Sequence, residues 1–194
     1  MKTLYLSDEE FNILYALKRK SEETYLHSLN VSRLSMALGI SYGLPQDELR
    51  TLGIGGLLHD VGKLQVPSAI LHKAGSLNAE EFRKMRMHSA NGELLLKGKA
   101  GEKNESVLNI VRHHHEKVCG RGYPDGFPEK HFLVQIVTVA DIYDALRSDR
   151  CYRKGYDREK AFAILCSDGG INRSIVDRLY EITGPVLQSA AGFQ

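Results

Sequence analysis

The stretch LLHDVGK, residues 57–63, ends an apolar run with an adjacent histidine and aspartate, His59 and Asp60. Neutral imidazoles and carboxylates are the usual ligands of borderline and hard divalent metal ions. One aspartate carboxylate can also bridge two metal ions. A His-Asp pair alone is common in proteins, but HDxGK after a leucine-rich helix is considerably more specific. The stretch therefore predicts one side of a metal site.

A helix upstream of this stretch carries a second pair of candidate ligands. Spacing of i, i+4 and i+8 aligns Glu23 and His27 with an apolar stripe formed by Val31, Leu34 and Leu38. A hydrogen-bonded core histidine is the simpler interpretation of His27 alone. A carboxylate on a buried face must be paired, protonated or metal-bound. We therefore expect Glu23 to point inward beside His27.

Downstream residues complete the set of candidates. His88 shares the apolar face of its predicted helix, His113–His115 end another helix, and Asp141 and Asp144 lie one turn apart on an apolar helix. Taken singly, His88 could be a core or surface residue, and a histidine run is often solvated. Asp144 is the better candidate for a structural role, bonding backbone amides. Together these residues resemble the convergent ligands of di-iron and di-manganese sites in helical bundles.

Cap residues divide the chain into about eight predicted helices. Ser7 with Glu10 and Asn78 with Glu81 fit the capping box, and the second box opens a helix reaching about Leu95. Further caps are predicted at Ser21, Asp157 and Asn172.

Three stretches differ in composition from the capped helices. Residues 62–76 and 120–128 are predicted loops because both contain glycine and proline. Residues 132–139 are β-branched enough to form a strand. They run without a break into ADIYDALRS and lack polar alternation, so we predict a buried helix. The predicted fold class is all-α.

Composition argues against a protein that binds polymeric nucleic acid, spans a membrane or is secreted. The chain has 194 residues, of which 42% are hydrophobic and 26% charged, and a net charge of +2. These values are typical of a soluble globular chain and give no indication of binding to polymeric nucleic acid. No apolar stretch approaches the roughly 18 residues that cross a bilayer, and the first residues, MKTLYLSDEEFN, lack the apolar region of a signal peptide. Three cysteines without a CxxC pair favour a cytoplasmic location.

Length alone predicts one domain over residues 1–194. Within it we expect an N-terminal helix in residues 1–20, a metal-site core in 21–155 and C-terminal helices in 156–194. The amphipathic first helix could pair with a second copy of the chain to form a homodimer.

The chain resembles the HD-GYP family, a branch of the HD superfamily of metal-dependent phosphohydrolases. The matching stretches are ETYLH (23–27), LLHDVGK (57–63), MRMHSANG (85–92), HHHEKVCGRGYPDG (113–126) and VADIYDALRSDRCYR (139–153). They occur in the family's order. The resemblance implies an HD-domain helical bundle with the metal site between helices.

The resemblance also implies a set of metal ligands. They are Glu23, His27, His59, Asp60, His88, His114, His115 and Asp141. Asp60 would bridge two ions, and Glu23 stands where family members with a third ion have a glutamate. The implied cofactors are two or three divalent ions, iron or manganese rather than zinc. His113, His72 and His131 lie outside this set.

The implied activity is hydrolysis of cyclic di-GMP to linear pGpG, and in some members onward to GMP. A metal-bridging hydroxide would attack the phosphodiester. Asp60 and Lys63 are the predicted catalytic residues, and Lys63 could also place its ammonium on a non-bridging phosphate oxygen. The predicted substrate-binding residues are Lys63, Gly122, Tyr123, Arg150 and Arg153. A plain turn remains the simpler alternative for the loop around Tyr123.

Some positions depart from the family pattern. Cys119 replaces an acidic residue, Val118 an aromatic one and Cys151 a proline, and HSANG replaces HPxxG. These changes affect the expected loop geometry and substrate preference. One alternative is a weakly active or inactive cyclic-dinucleotide sensor, or an adaptor for partner proteins of a signalling pathway. Another is an HD phosphohydrolase for a different nucleotide, such as cyclic GMP–AMP.

Overall fold

The computed structural model describes residues 6–97, 104–149 and 154–184, and the regular structure within these ranges is entirely helical. The ten α-helices are α1 (Asp8–Lys20), α2 (Glu22–Ser41), α3 (Gln46–Leu58), α4 (Ser68–Leu71), α5 (Ala79–Arg86), α6 (His88–Lys97), α7 (Glu105–His113), α8 (Phe132–Arg147), α9 (Arg158–Ser167) and α10 (Arg173–Ile182). A 3-10 helix, Val61–Gln65, lies between α3 and α4. The predicted all-α fold class is confirmed.

The predicted helix caps form as the sequence indicates. Ser7 Oγ accepts from the Glu10 amide at 3.2 Å, and the Glu10 carboxylate accepts from the Ser7 amide at 2.8 Å. Asn78 and Glu81 repeat this reciprocal pair at 2.9 and 2.8 Å. These bonds satisfy amide groups that a helix N-terminus leaves unpaired. The side chains of Ser21, Asp157 and Asn172 also cap their helices.

Two local predictions were wrong, and both lowered the expected number of helices. Residues 62–76 are not simply a loop, because they hold most of the 3-10 helix and all of α4. The single helix predicted from Asn78 to Leu95 is two helices, α5 and α6, with Met87 between them. The Met85 carbonyl there accepts from both the Met87 amide and the His88 imidazole. The imidazole thus competes with the regular helical hydrogen bonding at this point.

The ambiguous stretch 132–139 is helical, as predicted, and lies at the centre of the larger core. Val134, Ile136 and Val137 on α8 are fully buried. They pack with residues of α2, α3, α9 and α10, while a second apolar cluster joins α1, the 3-10 helix, α6 and α7. Helix α3 contributes Leu52 to the first cluster and Leu58 to the second. His59 and Asp60 follow Leu58 directly, so they lie at the end of a helix that contributes to both apolar clusters.

Across the described ranges, no helix combines the length and the hydropathy that crossing a bilayer requires.

Close contact between the 3-10 helix and α6 depends on a glycine. A Cβ on Gly62 would overlap the carbonyl oxygen of His88 and lie 2.5 Å from the Gly92 amide nitrogen. Neither backbone group can move without shifting α6. Gly62 therefore allows the segment after Asp60 to reach His88.

We expect Gly62→Ala to destabilise the fold by about 1–3 kcal/mol, the usual effect of overpacking. Urea unfolding followed by circular dichroism would measure the change. Gly75→Ala is the matched control, because a Cβ at Gly75 meets no atom within 4 Å, and its effect should stay within about 0.5 kcal/mol. Equal stability of the two variants would contradict the close contact.

Candidate metal centre

The structure brings together seven of the eight side chains that the sequence nominates as metal ligands. They are His27, His59, Asp60, His88, His114, His115 and Asp141. Three groups have ligand atoms within 4.8 Å of one another: His88 with His114 and His115, His27 with His59 and Asp141, and His59 with Asp60 and His114. These side chains come from α2, the end of α3, α6, the end of α7 and α8.

Asp60 lies between two sets of imidazoles and is only 1% exposed. Its Oδ1 atom is 3.3 Å from His88 Nε2, whereas its Oδ2 atom is 3.4 Å from His59 Nε2 and 3.9 Å from His27 Nε2. The two oxygens of one carboxylate thus face different histidines. A carboxylate that bridges two cations needs this arrangement.

Three of the histidines share one orientation. Nδ1 of His59, His88 and His114 lies 2.8, 2.7 and 2.9 Å from the backbone carbonyl three residues earlier. A carbonyl oxygen can only accept a hydrogen bond, so each Nδ1 carries the proton. Each Nε2 therefore presents a lone pair, as metal-binding histidines do when their other ring nitrogen donates to a carbonyl.

These lone pairs point toward one another. His88 Nε2 and His114 Nε2 are 3.2 Å apart, and with both protons on Nδ1 neither atom can donate to the other. His59 Nε2 is buried and has no hydrogen-bond partner among the described residues. Unpaired buried acceptors are unfavourable, and a cation among them removes this penalty. The donor set therefore fits a divalent metal.

Burial keeps most of these rings neutral and able to bind metal. It lowers the pKa of His88 to about 4 and that of His115 to about 3. The pKa of His114 is also held well below its usual value, by burial and by the neighbouring histidines. At neutral pH these three imidazoles need not lose a proton to coordinate a cation.

His27 is held between two aspartates of α8. Its Nδ1 donates to Asp144 Oδ2 at 2.6 Å, and its Nε2 lies 2.9 Å from Asp141 Oδ1. Burial alone would lower the pKa of His27, but these two hydrogen bonds raise it to about 9, so coordination of a cation by Nε2 would release a proton. Asp144 was expected to bond backbone amides, whereas it accepts from the side chains of His27 and Ser148. It therefore orients a candidate ligand from behind.

Lys63 approaches the centre from its partly open side. Its Nζ lies 2.6 Å from Asp60 Oδ2, and its side chain is 21% exposed. Burial would raise the pKa of Asp60, but the Lys63 ammonium holds that pKa well below the usual range. Lys63 thus keeps Asp60 ionised and can still reach a bound ligand.

Tyr123 and Arg86 form one edge of the centre. The Tyr123 ring stacks on His115, with 4.6 Å between centroids and 28° between planes, and the Arg86 guanidinium covers the ring at 4.4 Å. A Cβ on Gly122 would lie 2.5 Å from the His115 carbonyl oxygen, so this turn requires glycine. Arg86 was not singled out from the sequence. Its position two residues before His88 is the one available signal.

The remaining predicted residues have different outcomes. Glu23 is exposed in the first turn of α2, so the prediction that it points inward was wrong. His113 bonds Asn109 and Asp125, and His72 and His131 are exposed. Arg150 and Arg153 lie outside the described residues.

Two bacterial phosphodiesterases are similar in sequence to this chain over most of its length. The cyclic di-GMP phosphodiesterase PA4108 of Pseudomonas aeruginosa is 40% identical over 76% of this chain and 36% of its own length. The 3′3′-cGAMP-specific phosphodiesterase 2 of Vibrio cholerae is 32% identical over 77% of this chain and 29% of its own length. The chain thus spans about a third of each of these relatives.

A solved structure and the model of a protein family are also similar to this chain. Bd1817, a HDG"Y"P protein from Bdellovibrio bacteriovorus, superposes with a TM-score of 0.68 at 25% identity, over 81% of this chain and 51% of its own. The model of the HD domain matches residues 11–173. The chain therefore belongs to the HD domain family, as its resemblance to the HD-GYP branch predicts.

Proposed function

We propose that this chain is a metal-dependent phosphodiesterase that hydrolyses cyclic di-GMP to linear pGpG. The observation that carries the proposal is the position of Asp60, whose two oxygens face two sets of inward-pointing imidazoles. A relative that is 40% identical bears the name of this activity.

We assign the ligands to two cations that share Asp60. His27, His59 and Asp141 would hold one ion, and His88, His114 and His115 would hold the other. Two such ions would activate water as the nucleophile and neutralise the charge that develops on the phosphate. Mixed imidazole and carboxylate ligands between helices favour iron or manganese. Glu23 would add a third ion.

The chain's own groups position the phosphate and set the charges around it. Asp60 remains ionised beside Lys63, so it can serve as a shared anionic ligand. The partly exposed Lys63 ammonium would donate to a non-bridging phosphate oxygen and stabilise its growing charge. Burial raises the pKa of Tyr123, so its hydroxyl stays protonated and available as a donor at the edge of the centre. Arg150 and Arg153 are proposed to hold the second phosphate.

A cyclic GMP–AMP hybrid is the second candidate substrate. A relative that is 32% identical is named for 3′3′-cGAMP. The two dinucleotides carry the same backbone phosphates and differ in one base, so the metal centre would treat them alike. Parallel assays with both compounds would rank them by kcat/KM.

Replacing Asp60 should remove metal and activity together. In Asp60→Ala the imidazoles lose their shared anionic partner, so we expect bound metal to fall and pGpG formation to drop roughly 10³-fold or more. Elemental analysis gives the metal content, and chromatography after incubation with cyclic di-GMP gives the activity.

Asp177→Ala is the matched control, because Asp177 is exposed on α10, where it pairs with Arg173. Full metal content in Asp60→Ala would contradict the bridging role. Absence of pGpG from wild-type protein loaded with iron, manganese or zinc would contradict the proposed activity.

Lys63 should affect turnover and leave metal binding intact. Lys63→Ala removes a donor to the phosphate, so we expect kcat to fall about 10²-fold, as when one donor to a developing oxyanion is lost. Metal content should stay unchanged, and Lys63→Arg should restore part of the rate. An unchanged kcat in Lys63→Ala would show that another group neutralises the phosphate.

Glu23 should decide between two and three ions. Glu23→Ala should lower the metal content by about one ion per chain if Glu23 binds a third metal. Glu22→Ala is the control, because Glu22 is exposed in the same turn of α2. Equal stoichiometry in the two variants would limit the centre to two ions.

A further inference from the structure

Two buried glutamates lie outside the metal centre, behind the loop of residues 120–128. Glu116 is 1% exposed and Glu129 is 4% exposed. The Oε2 atom of each is buried without a hydrogen-bond partner among the described residues. A buried carboxylate oxygen left in this condition is strongly unfavourable. Each of these oxygen atoms therefore needs a hydrogen-bond donor or a cation that the described residues do not supply.

Both glutamates line one small cavity. Gln135, Thr138 and Asn172 also border it, and we call it the carboxylate cavity. Its volume is about 10 Å³. That volume admits one water-sized occupant. The seven side chains of the metal centre do not line this cavity.

Protein cations do not balance these two carboxylates within the described ranges. Glu116 Oε1 accepts from the amides of Asp125 and Gly126 at 2.6 and 2.9 Å. Glu129 Oε1 accepts from the His131 amide at 2.6 Å. These donors are neutral. The ammonium of Lys117, next to Glu116 in sequence, pairs with Asp168 at 2.7 Å.

We propose that the carboxylate cavity binds a single hard cation, with calcium as the best-suited ion. Its lining includes two carboxylates, the Thr138 hydroxyl and two side-chain amides, beside Val118, Gly170 and Ile171. Each amide oxygen already accepts one hydrogen bond, Gln135 Oε1 from Asn172 Nδ2 at 2.7 Å and Asn172 Oδ1 from the Ser174 amide at 3.1 Å, and keeps a second lone pair. Oxygen-only sites select calcium, magnesium or manganese over softer metals. Magnesium retains several waters when bound, and a cavity for one occupant excludes them, whereas calcium accepts protein oxygens in flexible geometry.

The cation would act on the metal centre through Glu116. Glu116 lines the cavity and has one carboxylate oxygen without a partner, while the other accepts from the amides of Asp125 and Gly126. The same loop carries Tyr123, whose amide donates to the His115 carbonyl at 3.2 Å. Glu116 is thus a positioning residue, and an occupied cavity would fix the loop that covers His115.

Thermal unfolding of the full chain, first stripped of metals with a chelator, tests this proposal. At about 100 times the Kd, calcium should raise the Tm by about 5 °C or more. Glu129→Gln keeps the side-chain shape and removes one charge, so this shift should be lost. Glu9→Gln alters an exposed glutamate on α1 and should keep it. Asp60→Ala should also keep it, because the metal centre would not be the calcium site.

Gln135→Arg provides an independent variant if Glu129→Gln does not fold. A guanidinium tethered at position 135 would replace the cation, so Tm in chelator should rise and the response to calcium should disappear. If calcium does not change the Tm of the wild-type protein, the proposal is overturned. The cavity would then hold a buried water, or the two carboxylates would share a proton. A shift that is lost in Asp60→Ala and kept in Glu129→Gln would also overturn it, by assigning calcium to the imidazoles. Neither result depends on phosphodiesterase activity.

Discussion

An almost fully buried carboxylate, that of Asp60, imposes the main constraint on this fold. An isolated ionised carboxylate in a protein interior is destabilising by several kcal/mol unless charged or hydrogen-bonding partners surround it. Lys63 supplies one such partner at 2.6 Å, whereas the Nε2 atoms of His59 and His88, within 3.4 Å, present lone pairs and leave room for a cation as the second partner. The segments that carry these partners must therefore converge at the end of α3. The close contact of Gly62 with α6 is part of that convergence.

Unpaired carbonyls at helix ends orient the imidazoles around Asp60. The last carbonyls of a helix have no partner within it. His59 and His114 are the residues that end α3 and α7, and each donates its Nδ1 proton to a carbonyl of the preceding turn. His88 does the same at the junction of α5 and α6. One local bond thus satisfies a helix terminus and directs Nε2 toward the centre, which links secondary structure to the proposed chemistry.

Sequence patterns predicted the features that depend on local bonding or on polar residues in apolar surroundings. Helix caps and the imidazole cluster belong to this group. Glu23 is exposed although it lies one turn before buried His27, because periodicity gives the face of a residue but not its degree of burial. The break before His88 was missed because it depends on where one imidazole bonds. The pairing of Glu116 with Glu129 across a cavity depends on tertiary packing, and residue spacing carries no signal for it.

The sequence HHHE, residues 113–116, contributes residues to both the proposed metal centre and the carboxylate cavity. His114 and His115 present neutral nitrogens to a centre that needs cations, while Glu116 turns away toward a cavity that holds a second unpaired carboxylate oxygen. His115 and Glu116 are adjacent in the chain, and both hold the loop that carries Tyr123. In the proposed scheme, a displacement of Glu116 would move the loop whose Tyr123 ring stacks on His115. A cation in the carboxylate cavity would therefore act on the proposed metal centre through this loop, although the two sites share no side chain.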